Sequence, residues 1–495
     1  MTFFRRAIVS AFLTLAASTL WAAAEPGVTF IGRGAVPGNA LDKSGLAGSI
    51  CSLANGSCID KSILGGFGSA VTYTGFDNVF LAVPDRGPFD GRTNVPYLDR
   101  FHFVHLTIDT TKNPKNNLLN INWTLLDTRL LWSEAHENFV GSSSAINLVD
   151  PLKNLRFDPE GVRVSIAGTF FVSDEYGPYL NEFNREGHLI RRIPIPAKFL
   201  INNPTGDVNR NGDSFELYKY PFLLNTSTYG NNSGRQANRG MEGLAITPDG
   251  RYLVGIMQNA LIQDHGLSYA ATQTDLTTPS RIGFNNRILK YDLVSGQTWE
   301  YVYPMDLVNQ GKGVNEILAI NDHEFLVVER DNRSLVSPGA DTFPSGGGVK
   351  KVFRIDLNKA GLTDVSNVAA LPETVAGLTN FFGPGQSIVP VSKFLFLDLL
   401  NPVYEVDIST TPHKTIKDII AEKIEGLAWG PDLPNGHHVL YVLSDNDLNT
   451  GFPTEIFAFE VDGTAAGITY QPQVLPGPLF PPGQVKQILS GKKDK

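Results

Sequence analysis

A Glu, usually followed by Gly, opens a short apolar strand at four places along this chain. The copies are Glu160-Gly161-Val162, Met241-Glu242-Gly243-Leu244-Ala245, Asn315-Glu316-Ile317-Leu318-Ala319 and Ile424-Glu425-Gly426-Leu427-Ala428. After each comes an apolar run that ends on acid or amide: 170–172 before Asp174-Glu175, 252–257 before Gln258-Asn259, 325–328 before Glu329-Arg330, and 439–443 before Asp445-Asn446. Two looser copies lack the Glu: 69–73 leads to 80–83 and Asp85-Arg86, and 387–389 leads to 394–397 and Asp398. Similar units spread along a whole chain constrain it to a radially repeated fold, in which the repeated side chains converge on one place.

Each unit continues into a third run, at 100–108, 180–184, 287–293, 351–357, 403–408 and 455–461. Tight turns such as Arg185-Glu186-Gly187 and Ser295-Gly296 then lead into a fourth. Short β-branched and aromatic runs separated by Gly, Asn and Asp are hairpin language. With 48 Gly and 31 Pro the chain is rich in turns, and only 414–421 reads as a short helix. The expected fold is all-β: a six-bladed propeller, with long insertions at 39–62, 202–239, 263–281 and 334–350. The strand-like run 28–35 has no blade of its own; pairing with the last blade would close the ring and remove two exposed edges.

The ends read separately. Arg5-Arg6, an apolar run 7–20 and Ala22-Ala23-Ala24 have the three parts of a secretory signal peptide, residues 1–24. A single propeller domain is expected over 25–470, followed by a C-terminal tail, 471–495. Nothing after the signal peptide approaches a membrane span. The expected location is therefore secreted or periplasmic, and the expected state a monomer. A formal charge of −9 argues against nucleic acid as a partner. Cys51 and Cys58, the only cysteines, read as a local disulfide in an exported chain.

In a propeller the first strand of each blade lines the central channel, so Glu160, Glu242, Glu316 and Glu425 are expected near one mouth. Like charges so confined must protonate, meet a basic side chain or share a cation. Clustered carboxylate oxygens suit a hard cation, Ca²⁺ above all outside the cell. Asp85, Asp174 and Asp445 are candidate ligands as well as candidate turn caps. Glu160 and Glu242 are the candidate catalytic carboxylates. The alternative is structural: each Glu accepts backbone N–H bonds or pairs with a neighbouring Arg. A second candidate cation loop, with Asp207, Asn209 and Asn211, fits the first half of a calcium-loop pattern, but Tyr218 stands where a bidentate Glu is expected. There is no G-x-S-x-G elbow and no Walker loop.

The phrases Pro84-Asp85-Arg86-Gly87, Asp158-Pro159-Glu160-Gly161, Val172-Ser173-Asp174-Glu175-Tyr176-Gly177, Arg239-Gly240-Met241-Glu242-Gly243 and Ile424-Glu425-Gly426-Leu427-Ala428 together resemble the phytase-like, "esterase-like activity of phytase" family. The resemblance implies an exported β-propeller, related in architecture to calcium-dependent propeller phytases, with phosphoester or ester hydrolase activity. The expected function is a Ca²⁺-dependent hydrolase of small phosphate esters. Arg86, Arg239 and Arg330 would then neutralise substrate charge, and the basic residues beside the motifs suffice for one phosphate group. The alternatives are a lactonase or carboxylic esterase, with Asn315, Asn446 and Gln258 contributing, and a non-catalytic ligand-binding propeller.

Overall fold

The computed structural model describes residues 24–142, 145, 153–177, 179–200, 233–236, 238–265, 267–268, 280–306, 313–344, 347–475 and 477–491. Most of the expected signal peptide and the loop Asp207, Asn209, Asn211 lie outside these residues.

Five four-stranded sheets carry the fold. Blade I runs outward from Ala70–Tyr73 through Val79–Val83 and Arg100–Ile108 to Ile121–Leu130. Blade II comprises Pro159–Val164, Phe170–Asp174, Leu180–Phe183 and Leu189–Ile193. Blade III comprises Met241–Ile246, Tyr252–Met257, Asn285–Asp292 and Thr298–Pro304. Blade IV comprises Gly313–Ala319, Glu324–Arg330, Lys350–Asp356 and Phe394–Asp398. Blade V has Lys423–Trp429 at the axis, then His438–Asp445 and Thr454–Val461, and its outer strand is the N-terminal Val28–Val36. Val28 pairs with Val461 and Val36 with Thr454, so the first strand completes the last blade.

The ring is closed, because each inner strand touches the next and that of blade V touches that of blade I. The apolar packing repeats the same count. One core cluster lies between each adjacent pair of blades: Phe101 against Phe170, Leu180 against Leu244, Val254 against Ile317, Leu326 against Leu427, and Tyr441 against Phe80. Burial of these faces is the main force holding blade to blade.

The described residues thus form five blades, not the six expected from sequence. No strand forms at 387–389. Phe394–Asp398 adds instead to Lys350–Asp356 as the outer strand of blade IV. Glu405–Asp407 pairs with Lys414–Thr415 in a two-stranded hairpin outside the ring. A short apolar run reads alike as the second or the fourth strand of a blade. What separates them is burial: Phe394 and Leu395 are exposed, as an outer edge allows. The helix expected at 414–421 is a single 3₁₀ turn, Ile416–Asp418, whose ends Thr415 and Asp418 cap each other.

Residues 470–475 cross the far end of the channel, where Gln471 N–H donates to the Ile320 carbonyl and Val474 N–H to that of Pro248. Beyond them Leu479, Phe480 and Val485, the last from the helix Pro482–Leu489, enter the core between blades I and II. Among the described residues no helix is long and apolar enough to cross a membrane. Cys51 and Cys58 are disulfide-bonded, across the hairpin of Ser49–Cys51 and Cys58–Asp60.

Candidate functional site at the channel mouth

At the head of four inner strands the ladder slips. Pairing jumps from Pro159 to Val162 in blade II, Met241 to Gly243 in III, Val314 to Glu316 in IV and Ile424 to Gly426 in V. A bulge leaves the extra residue out of the ladder and re-aims its side chain. The bulged residues are Glu160, Glu242, Asn315 and Glu425, with Gly161 sharing the bulge in blade II. The ladder of blade I has no slip, and that blade supplies no Glu.

Asn315, not Glu316, therefore stands in register with the other glutamates, and Glu316 occupies the place of Gly161, Gly243 and Gly426. One step along a strand reverses the facing of a side chain. The Glu316 carboxylate lies 3.0 Å from the Arg163 guanidinium and accepts hydrogen bonds from the backbone N–H groups of Leu244 at 3.1 Å and Ile317 at 2.8 Å. It belongs to the channel wall rather than to the lining of the mouth.

The mouth itself is a cavity of about 450 Å³. Asp85, Glu160, Glu175, Glu242, Glu422, Glu425 and Asp447 bring seven carboxylates to it, against the four cations Arg86, Arg239, Arg330 and Lys423. Asn315 Nδ2 donates to Glu242 Oε1 at 2.8 Å and to Glu425 Oε1 at 3.0 Å, bridging blades III, IV and V. Arg330 Nη2 donates to Glu425 Oε1 at 2.7 Å. Arg239 holds the Gln258 amide oxygen, and the Gln258 amide nitrogen donates to Glu242. Arg86 is fixed on Asp158, through its backbone N–H at 2.8 Å and its Nη1 at 3.1 Å.

Electrostatics follow from this crowding. Burial, and then the charges of Glu242, Asp158, Glu175 and Glu425, pushes Glu160 well above the usual carboxylate range. Burial, with Glu175 and Glu425, does the same to Glu242, against the pull of Arg330 and Arg239. Asp85 and Asp158 are pushed up to about 7 by burial, with Arg86 opposing the shift in both. Asp445 is raised well above its usual range by burial, opposed by Lys423.

Among the described residues, two groups of three carboxylates have oxygens within 4.8 Å of one another: Asp85, Asp445 and Asp447, and Asp158, Glu160 and Glu175. Glu175 Oε1 and Glu242 Oε2 are buried without a hydrogen-bond partner. Hard oxygen donors, crowded negative charge and buried unsatisfied carboxylate oxygens all fit a divalent cation such as Ca²⁺.

Of the residues singled out from sequence, Glu160, Glu242, Glu425, Asp85, Arg86, Arg239 and Arg330 meet at this cavity. Asp445 lies behind it in the first carboxylate group. Asp174 Oδ1 accepts from the backbone N–H groups of Asp158 at 3.2 Å and Tyr176 at 3.0 Å, which is a turn-bracing role. Asn446 likewise braces loops, accepting from Gly66 N–H at 2.7 Å and donating to the Phe452 carbonyl at 2.7 Å. Sequence reasoning passed over Asp158, Glu175, Lys423 and Asp447 as site residues. Each lies within two residues of one that the motifs single out: Glu160, Asp174, Glu425 and Asp445.

A family model described as "Phytase-like: Esterase-like activity of phytase" matches residues 62–448. A protein of Arthroderma benhamiae described as an uncharacterized secreted protein is 29% identical over 310 residues, 55% of this chain and 54% of that protein, so the chain spans about half of that relative's length. Among solved structures, the calcium-binding protein regucalcin from Agrobacterium tumefaciens aligns over 90% of this chain and 97% of its own, at 10% identity and a TM-score of 0.29. A quinohemoprotein alcohol dehydrogenase from Pseudomonas putida aligns over 83% of this chain and 50% of its own, at 9% identity and a TM-score of 0.25.

Proposed function

Because the chain belongs to the phytase-like family described as esterase-like activity of phytase, we propose that it is an exported hydrolase of small phosphate esters, working at the channel mouth with bound Ca²⁺. The observation that carries this reading is the cavity where buried carboxylates outnumber, yet interleave with, arginine and lysine. Such a site takes a cation and an anion together. The carboxylates of the two groups, Asp85, Asp445 and Asp447, and Asp158, Glu160 and Glu175, would hold the cation. When bound, the cation supplies Lewis acidity toward a phosphoryl oxygen and lowers the pKa of water.

The protein side chains do the rest. Arg86, Arg239 and Arg330 neutralise and orient one phosphate group, with guanidinium forks matched to its oxygens. Water adds to phosphorus, the P–O ester bond breaks, and the leaving oxygen takes a proton. Glu242, whose carboxyl is pushed up by burial and by the neighbouring Glu175 and Glu425, is the proton donor of this scheme. Export is supported by the disulfide and by the description of the Arthroderma benhamiae relative as secreted.

The test is hydrolysis of phosphomonoesters, phosphodiesters and lactones by protein purified without chelator, before and after EDTA, alongside metal analysis. Phosphomonoester turnover that EDTA abolishes and Ca²⁺ restores is expected. Turnover of lactones alone would favour a lactonase, a reading supported by Asn315 and Gln258 beside Glu242. A metal-free protein inert on the whole panel would leave a binding propeller.

A further inference from the structure

The channel has a second mouth. The far ends of the inner strands enclose a cavity of about 380 Å³, separate from the acidic one and closed on one side by the strap 470–475. Its walls are aromatic: Tyr73, Trp429 and Tyr470 line it, with Trp429 and Tyr470 ring centroids 4.7 Å apart. Arg163, 2% exposed, also borders it. Gln471, Gln473 and Asp432 bring further polar groups to the same space.

We propose that this far mouth is a second binding site, for a neutral sugar of one or two rings. The size is that of a small-molecule pocket. Aromatic faces suit the apolar C–H faces of a pyranose. The Arg163 guanidinium is taken up by Glu316 and the Val71, Val162 and Ile317 carbonyls, so hydrogen bonds to a ligand fall to Gln471, Gln473 and Asp432. Donors and acceptors occur together, from the Gln471 and Gln473 amides on one hand and Asp432 on the other, which matches hydroxyl groups that both donate and accept. Charge separates this ligand from an anion. Arg163 is already paired with Glu316 at 3.0 Å, so a ligand carboxylate or phosphate would be desolvated without a free counter-charge. A phenol offers a single hydroxyl to a site with several polar partners.

The experiment is calorimetric titration of the whole protein, with intrinsic tryptophan fluorescence in parallel. The probes are glucose, galactose, mannose and their neutral disaccharides, with glucuronic acid and phenol as comparison arms. Saturable binding of at least one neutral sugar is expected, weakened about tenfold or more by Tyr470→Ala, a loss of roughly 1.4 kcal/mol. Tyr470→Phe, which keeps the ring, should bind as the unaltered protein does. Inorganic phosphate with Ca²⁺ should not displace the sugar. Four results would overturn the proposal: no saturable binding of any neutral sugar by the unaltered protein, preference for glucuronic acid or phenol, displacement by phosphate, or unchanged affinity in a folded Tyr470→Ala protein.

Discussion

The glycine after each channel Glu is where one blade abuts the next, and replacing it tests the five-bladed closure directly. A Cβ at Gly161 would lie 2.6 Å from Leu244 Cβ and from Leu244 N, in the next blade. At Gly243 it would lie 2.7 Å from Ile317 N and 2.8 Å from the Glu316 carbonyl carbon, backbone that cannot swing aside. At Gly426 the nearest atoms are Gly68 O at 2.9 Å and Leu443 Cβ at 3.1 Å, a milder encounter across the seam between blades V and I. Contacts this short must be relieved by separating the inner strands, and overpacking of this kind costs about 1–3 kcal/mol. Gly243→Ala and Gly161→Ala are expected near the upper end, and Gly426→Ala at about 1 kcal/mol. The control is Gly483→Ala, in the C-terminal helix with nothing within 4 Å of the added carbon, which should be neutral or stabilising by up to about 1 kcal/mol. Urea unfolding at constant m-value measures each change. If Gly243→Ala unfolds within about 0.5 kcal/mol of the unaltered protein, the blades are not packed as described and the reasoning fails.

Three further outcomes are expected. Asp85 and Asp158 ordinarily titrate near 3.8 but are raised to about 7 in the folded protein, so the metal-free fold holds protons that the unfolded chain releases. Their contribution is therefore full below the unfolded value and falls by about 1.4 kcal/mol per group per pH unit as pH rises to about 7. Because Ca²⁺ must displace those protons, its upward shift in Tm should grow from about pH 5.5 to about pH 8, and a shift that shrinks over this range would contradict the assignment. Glu175→Gln should weaken Ca²⁺ binding about tenfold or more by calorimetry, whereas Glu316→Gln, in the channel wall, should leave it unchanged; equal losses would put both side chains at one site. Arg330→Lys keeps the charge but not the fork that meets Glu425, so KM for a phosphomonoester should rise about tenfold with a smaller change in kcat.

The repeated phrase made the all-β ring and its convergent carboxylates legible, because each copy sits at the head of an inner strand. The blade count was not legible in the same way. The run 394–397 carries the apolar signature of a blade's second strand, but its neighbours place it fourth, and pairing partners far apart in sequence leave no local mark. The glutamate-free copies at Ser69 and Ser387 illustrate the difference. The first is a true inner strand without a bulge, and the second is not a strand.

The site was misread by one residue for a related reason. Asn315-Glu316 looks like a fourth Glu of the series, yet the bulge in blade IV sits on Asn315. The substitution has a physical logic. Glu242 and Glu425 approach the same point from blades III and V, and a third carboxylate between them would add repulsion in a buried space. An amide there donates to both instead, at 2.8 and 3.0 Å. The glutamate one step on is turned into the channel wall, where Arg163 meets it and also donates to the Val71 carbonyl at 3.1 Å and the Ile317 carbonyl at 2.9 Å, tying blades I, II and IV together. One slip of register thus divides the acidic repeat into two roles, three carboxylates that face the mouth and one that fastens the ring beneath it.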